Sequence, residues 1–300
     1  MLPAPTYDVT RSNVLEHLLQ SKGYVAVPAG GAIADVAYAI RPHGRIANIS
    51  VTETSQYCSK RRFYRILAQH QKTQHIPLTY LRLEDLPSPL PAGVWFLKKA
   101  QGSRGEAVYC FTDYAALEAK AEELGVGSYV IQKGVERLDL MAGRKYTLRV
   151  YLLQLGDGRY FVYRRIVGIQ HKRRYSATCS DYETHIDHKG ATRFDLAATH
   201  PYYDLLFERI LRVCAETFPA FQHQRDIAPS SYHLYGLDFL IDEDLRPWFI
   251  EMNGFPNLDS VVDDVREEIL VDLFSDLHDL VIAPRLHGSE ERIGSFARVN

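Results

Sequence analysis

Four cysteines in 300 residues, Cys58, Cys110, Cys179 and Cys214, stand far apart, with no CxxC pair among them. That spacing offers neither a zinc site nor a disulfide framework and leads us to expect reduced thiols in a cytoplasm. No charge dominates either. Lys and Arg number 35 against 37 Asp and Glu, a formal net charge of −2. A broad nucleic-acid surface needs a strong basic excess, so no nucleic-acid partner is expected. Long apolar runs are missing too. The longest weakly polar stretch, 23–40, is interrupted by Pro28, Asp35 and three glycines, which excludes a membrane span and predicts no membrane partner. The opening MLPAPTYDVTRS has no signal-peptide pattern, and no repeat or low-complexity tract occurs. What is present is the composition of a soluble globular protein, 46% hydrophobic and 24% charged, long enough for one large domain or two to three smaller ones.

Along the chain, NVLEHLLQSKG reads as a short helix stopped by Gly23. The stretch 24–40 reads as glycine-punctuated strand. SQYCSKRRFYRILAQHQ spaces Tyr57, Tyr64, Leu67 and Ala68 like one helix face. Three prolines within 86–93 mark a boundary. VWFLKKA then reads as a strand, QGSRGE as a glycine loop and AVYCF as a strand. DYAALEAKAEELG reads as a helix with Asp113 as N-cap and Gly125 as C-cap, and SYVIQKGV as a third strand. KYTLRVYLLQL and RYFVYRRIVGI continue as strands, followed by a helix near 203–217, a hairpin LYGLDFLIDEDLRPWFIEMN, and a closing helix at about 259–282.

The hairpin carries the most specific chemistry. Its turn, DEDLR, centres near 244–245, and reflection of Glu251 through that centre lands on or next to Asp238. Side chains alternate along a strand, so Glu251 and Asn253 share a face, and Asp238 projects onto it from the neighbouring strand. Two carboxylates and an amide oxygen are a hard-oxygen set suited to Mg²⁺. The other reading is a solvated edge hairpin. The apolar flanks LYGL, FLI and PWFI weigh against it, because a half-buried acidic face is costly without a cation.

Further pieces suit phosphate. Lys98 ends the strand WFLK, and Gly102, Ser103, Arg104 and Gly105 form a turn whose backbone N–H groups can face outward, although plain hairpin turns share this composition. Lys133 ends YVIQK and is expected near Lys98 if both strands lie in one sheet; a solvated strand cap is the alternative. In GRKYTLRVYLLQL, Tyr146, Leu148, Val150 and Leu152 form an apolar face, with Lys145, Thr147 and Arg149 opposite. Arg149 can grip a phosphate or carboxylate with two hydrogen bonds. The runs HKRRY (171–175) and SKRR (59–62) would suit an acidic acceptor; ordinary solvated surface is the alternative reading.

VWFLKKAQGSRGEAV, YVIQKGVERLDLMAGRKYTLRVYLL and LYGLDFLIDEDLRPWFIEMNGFPNL, in this order, together with the fainter YCSKRRFY … IPLTYLRLEDLP, resemble the tubulin–tyrosine ligase-like family of ATP-grasp enzymes over roughly residues 55–280. The resemblance implies an α+β ATP-grasp fold, with the nucleotide held between two antiparallel-type sheets and a small N-terminal α/β domain. The implied division is 1–75 for the small N-terminal domain, 76–133 for the central ATP-grasp domain and 134–300 for the C-terminal domain with the metal site. By position, Lys98 and Lys133 would contact ATP phosphates, Lys133 also lying near the adenine. Gln132 and the backbone around Val135 would meet the adenine, and Lys145 and Lys60 would lie near the nucleotide. Arg149 would face the reacting group, with Arg165 (or Arg164) as second arginine, and Asp238, Glu251 and Asn253 would hold magnesium. The chain departs from the family pattern at Thr147, where Asp is usual, and at HIDH, 185–188, where the family has His-Leu-Thr-Asn.

The implied activity is an ATP-dependent carboxylate–amine ligase working through an acyl phosphate. Its partners would be an amino acid and a carboxylate- or amine-bearing acceptor, a peptide, protein or small acid rather than tubulin. An ATP-grasp kinase acting on a hydroxyl and a non-catalytic nucleotide-binding module are the alternatives. No side-chain nucleophile is needed. His171, His185 and His188 are expected to be structural or substrate-facing.

Overall fold

The computed structural model describes residues 3–27, 33–100, 108–186, 191–222, 228–259 and 264–299. The chain begins with a parallel sheet of β1 (Thr6–Val9), β2 (Val25–Ala26), β3 (Ala34–Tyr38) and β4 (Gly44–Ala47), ordered β2-β1-β3-β4. The helix Asn13–Ser21 follows β1, capped by the Ser12 hydroxyl, which accepts from Leu15 N at 3.2 Å. The same hydroxyl donates to Leu258 O at 2.9 Å, tying this unit to the segment after the metal-type hairpin.

The expected helix over 55–71 is two helices, Val51–Cys58 and Lys60–Gln69. The chain breaks at Ser59, which is extended (ψ 140°) and turns its hydroxyl back to cap the second helix at Arg62 N. The break shifts the buried face to Tyr57, Phe63, Ile66 and Leu67. Tyr64 is only half-buried and Ala68 is exposed. A helix-period reading cannot foresee a serine that caps instead of continuing.

The second sheet is antiparallel: β5 (Thr79–Tyr80), β6 (Trp95–Lys99), β7 (Val108–Phe111) and β8 (Tyr129–Lys133), ordered β5-β8-β6-β7. The helix Tyr114–Leu124 covers one face, burying Leu117 and Ala121 against Trp95, Leu97 and Ile131. Asp113 caps it, accepting from Ala116 N at 2.9 Å, and Gly125 (φ 81°) ends it. The other face of this sheet carries Phe96, Lys98 and Gln132.

The third sheet is built on the long strand β9 (Tyr146–Leu155). β10 (Tyr160–Tyr163) and β11 (Val167–Gln170) pair along one edge of it. β12 (Thr192–Asp195) joins β11, and β13 (Tyr232–Ile241) pairs along the other edge and with β14 (Pro247–Asn253). β15 (Phe296–Arg298) pairs with β10. Tyr146, Leu148, Val150 and Leu152 enter the core shared with the helices Lys60–Gln69 and Tyr203–Thr217. Tyr151, Leu153 and Leu155 point the other way, into a core with the helix Asp264–Leu277 and β1–β4. Both faces are therefore covered, and polar side chains on the second face survive only at its open end.

Candidate active site

That open end is where the polar residues meet. Asp238 of β13 lies between two partners, Arg149 of β9 and Glu251 of β14. One row along, Gly236 lies between Tyr151 and Asn253. The register slips between Asp238 and Phe239, so that Ile250 is the extra residue of a bulge. The bulge brings Glu251 opposite Asp238 instead of Leu237, and thus onto the same face. The hairpin expectation for Asp238, Glu251 and Asn253 therefore holds as geometry.

The three are in direct contact. Asn253 Nδ2 donates to Asp238 Oδ2 at 3.2 Å and to Glu251 Oε1 at 3.3 Å. Lys60 Nζ sits 3.2 Å from Glu251 Oε2. Lys60 is the first residue of its helix, so the break at Ser59 is what aims it here. Arg149 Nε and Nη2 donate to Asp238 Oδ1 and Oδ2 at 2.6 and 3.0 Å. Burial raises the Asp238 pKa while Arg149 opposes it. Burial would raise Glu251 as well, but Lys60 and Lys98 outweigh it and hold that carboxyl below its ordinary range. The acidic pair is thus ionisable at one partner and crowded at the other, the electrostatic setting that a cation relieves.

Among the described residues no group of three or more His, Cys, Asp and Glu side chains could hold a metal. The donors here are two carboxylates and an amide. As placed, the Asn253 amide turns its nitrogen toward the carboxylates; a half-turn presents the oxygen, and the two orientations are near-isosteric. The donor set fits a hard cation such as Mg²⁺.

Across the cleft, Lys98 and Lys145 both lie over the Phe96 ring, at 5.7 and 5.6 Å from its centroid. Lys98 Nζ donates to Gln132 Oε1 at 2.6 Å, and Gln132 Nε2 donates to Thr79 Oγ1 at 3.0 Å. Lys145 Nζ donates to the backbone oxygen of His185 at 2.9 Å. Burial lowers both lysines to about 8. His185 itself is a scaffold. Its Nε2 lies 2.8 Å from Cys179 O, its ring meets Phe96 and Tyr175 edge-on, and burial and Lys145 lower its pKa.

Lys133 shares the sheet with Lys98 but not its face. Lys98 pairs with Val130 and Phe96 with Gln132, whereas Lys133 pairs with Trp95 on the opposite side. Its ammonium joins Glu136. The expectation that the two lysines sit side by side fails on strand alternation, and Gln132 takes the place beside Lys98. Val135 is buried with Leu138 and Leu240 in a small apolar cluster flanked by Tyr175, Trp248 and Ile250. Arg165 is not gathered into the cleft: its guanidinium is held by Asp195 (3.0 Å), Glu268 (2.8 Å) and Asp272. Arg164 lies over the Phe207 ring. Gly102, Ser103, Arg104 and Gly105, and Asp187 and His188 of HIDH, lie outside the described residues.

Sequence reasoning missed Gly236. A Cβ there would meet Pro256 Cβ at 2.8 Å and Arg149 Cδ and Nη1 at 3.1 and 3.2 Å. The arginine reaches Asp238 by lying across this bare backbone. The signal was present as a lone glycine inside an apolar strand, a mark of close approach. Phe96 and Thr79 had no such signal.

A profile of the tubulin-tyrosine ligase family matches residues 48–188 and 197–289. The chain is similar to the probable tubulin polyglutamylase TTLL9 of Mus musculus, 29% identical over 212 residues, 61% of this chain and 45% of the relative. It is similar to the probable alpha-tubulin polyglutamylase Ttll1 of Tetrahymena thermophila, 21% over 284 residues, 81% of this chain and 68% of the relative. It is also similar to the human tubulin monoglycylase TTLL3, 21% over 241 residues, 66% and 31%. The chain spans less than half the length of the mouse relative. Among solved structures, the C-terminal domain of K. lactis Pby1, an ATP-grasp enzyme interacting with the mRNA decapping enzyme Dcp2, superposes with a TM-score of 0.71 at 16% identity over 99% of each chain. The fold is therefore α+β of the ATP-grasp type.

Proposed function

This chain belongs to the tubulin-tyrosine ligase family, and from that premise we propose that it is an ATP-dependent ligase that joins a carboxylate to an amine through an acyl phosphate. One observation carries the reading. Lys98, Lys145, Arg149, Asp238, Glu251 and Asn253 come from three stretches far apart in sequence and converge on one cleft between two antiparallel sheets. A structural surface has no use for two lysines buried deeply enough to lower their pKa to about 8.

In this reading ATP phosphates lie against Lys98 and Lys145, whose buried ammonium groups gain full charge as an anion arrives. The adenine packs near Val135 and Leu240, the apolar corner beside the end of β8. Asp238, Glu251 and Asn253 would hold Mg²⁺, which would supply neutralising charge to the phosphates. Arg149, released in part from Asp238, binds the acceptor carboxylate and the acyl phosphate formed from it with its planar fork. The acceptor oxygen attacks the γ-phosphorus, ADP leaves, and the amine then displaces phosphate from the acyl carbon. Catalysis is positioning and charge stabilisation, with no covalent enzyme intermediate. Lys60 keeps Glu251 ionised and in place. The substrates are an amino acid and a peptide, protein or small acid, and the setting is the cytoplasm.

A screen of amino acids crossed with acceptor acids, read by ADP release and mass spectrometry of the products, tests this. Amine-dependent ADP release with an amide product supports it. ADP release that needs no amine, with a phosphorylated hydroxyl as product, overturns it in favour of a kinase.

A further inference from the structure

Between the helix Lys60–Gln69 and the chain at β5 lies a pocket of about 470 Å³, with Thr79, the partner of Gln132, in its wall. It is within the size range of small-molecule sites. Three guanidiniums line it, those of Arg61, Arg65 and Arg82, together with Tyr64, Tyr80 and one carboxylate, Asp85. Arg61 is fixed. Its Nη1 donates to Leu81 O at 2.9 Å and to Tyr129 O at 2.7 Å, bridging the chain beyond β5 to β8. Those bonds leave its Nε and Nη2 without a partner among the described residues. Arg65, one helical turn on, has no ion-pair partner among the described residues. Arg82 reaches only Glu84, at 3.2 Å, in an exposed pair of little energetic weight. No ion pair joins Asp85 to any of the three.

A solvated helix face does not account for this arrangement. Like charges one turn apart repel, and here a third arginine is added from the loop after β5. The Arg61 guanidinium is pushed below its ordinary range by burial, then by Arg65 and Arg82. With Asp85 in the lining and Glu84 paired to Arg82 at the rim, three guanidiniums face two carboxylates, an excess of one positive charge. A single carboxylate engages only one of the three guanidinium forks. A phosphomonoester supplies about −1.5 to −2 charge and three acceptor oxygens. Tyr64 and Tyr80 add aromatic surface for whatever carries the phosphate.

We infer that this pocket binds a phosphomonoester, at a site distinct from Lys98 and Lys145, neither of which lines it. The phosphate of a small metabolite and that of a phosphorylated side chain present the same chemistry to this pocket. This goes beyond the ligase reading and does not depend on it.

The test uses the full chain with the cleft saturated by Mg²⁺ and a non-hydrolysable ATP analogue. Phenyl phosphate is titrated by calorimetry, with benzoate as the carboxylate control. Arg65→Gln and Arg82→Gln, both at exposed positions, are compared with wild type after thermal melts establish that they fold. The expected result is phenyl phosphate binding that weakens by about tenfold or more in each variant, with benzoate weaker than phenyl phosphate in wild type. No binding of phenyl phosphate, equal binding of benzoate, or binding unchanged in both variants overturns the proposal. A phosphoserine peptide and a nucleoside monophosphate form the two further arms. Whichever binds tighter identifies the source, and failure of both to compete with phenyl phosphate counts against the site.

Discussion

Arg149 holds Asp238 with both arms of its fork, Nε to Oδ1 at 2.6 Å and Nη2 to Oδ2 at 3.0 Å, across directly paired strands. A lysine reaches one oxygen with a point charge and cannot reproduce the two-point contact. Arg149→Lys should therefore lower kcat by about 100-fold or more. The affinity for ATP, which rests on Lys98 and Lys145, should stay within about threefold. Steady-state kinetics beside nucleotide calorimetry separates the two effects.

Gly236 sets the path of that arginine. In Gly236→Ala the new methyl would stand 2.8 Å from Pro256 Cβ and 3.1 Å from Arg149 Cδ. Overpacking of this kind costs about 1–3 kcal/mol, to be read as a lower denaturation midpoint. Because the side chain displaced is Arg149, turnover should fall further than the stability loss alone explains, and a folded but slow enzyme is the expected outcome.

Glu251 has a different signature. Its Oε2 faces Lys60 at 3.2 Å and its Oε1 accepts from Asn253. Glu251→Gln keeps size but removes the charge that Lys60 and a divalent cation both use. Turnover should drop by several kcal/mol of transition-state stabilisation, on the order of 100-fold or more, with a smaller change in ATP affinity. Near-normal kcat at saturating magnesium would remove Glu251 from the metal set.

The buried lysines predict a pH effect. Burial lowers Lys98 and Lys145 to about 8, from an ordinary value near 10.5. In the window between those values the unfolded chain binds more protons than the folded one, so stability rises with pH there, while below about 8 the two buried ammonium groups impose a constant destabilisation. Phosphates in the cleft favour the charged lysines. ATP binding near pH 8 should accordingly take up protons, with uptake fading toward about pH 6, where both are already charged. Calorimetry in two buffers of different ionisation enthalpy measures the uptake, and Lys98→Met should reduce it.

Several elements were legible in the sequence because they are local. The turn DEDLR centres the hairpin, and Asp238 and Glu251 indeed pair. Alternation separates Tyr146, Leu148, Val150 and Leu152 from Lys145, Thr147 and Arg149, and the former enter one core. Asp113 and Gly125 bound their helix as their side chains dictate. What stayed hidden depends on registers between distant strands. Whether Lys133 shares a face with Lys98 is decided by the pairing of β6 with β8, and a shift of one residue reverses it. Lys145 is held by a backbone carbonyl forty residues away, which no side-chain pattern announces. The helix break at Ser59 was masked by the helix-forming residues around it, yet it aims Lys60 at Glu251.

The acyl phosphate is the central claim, and its most direct test follows oxygen. With ¹⁸O in the acceptor carboxylate, ligation by this route must leave one labelled oxygen in the inorganic phosphate released, because that oxygen attacks the γ-phosphorus and departs with it. Mass spectrometry of the phosphate should show one label per amide formed. Amide product accompanied by unlabelled phosphate would contradict the account and return the chemistry to an adenylating route.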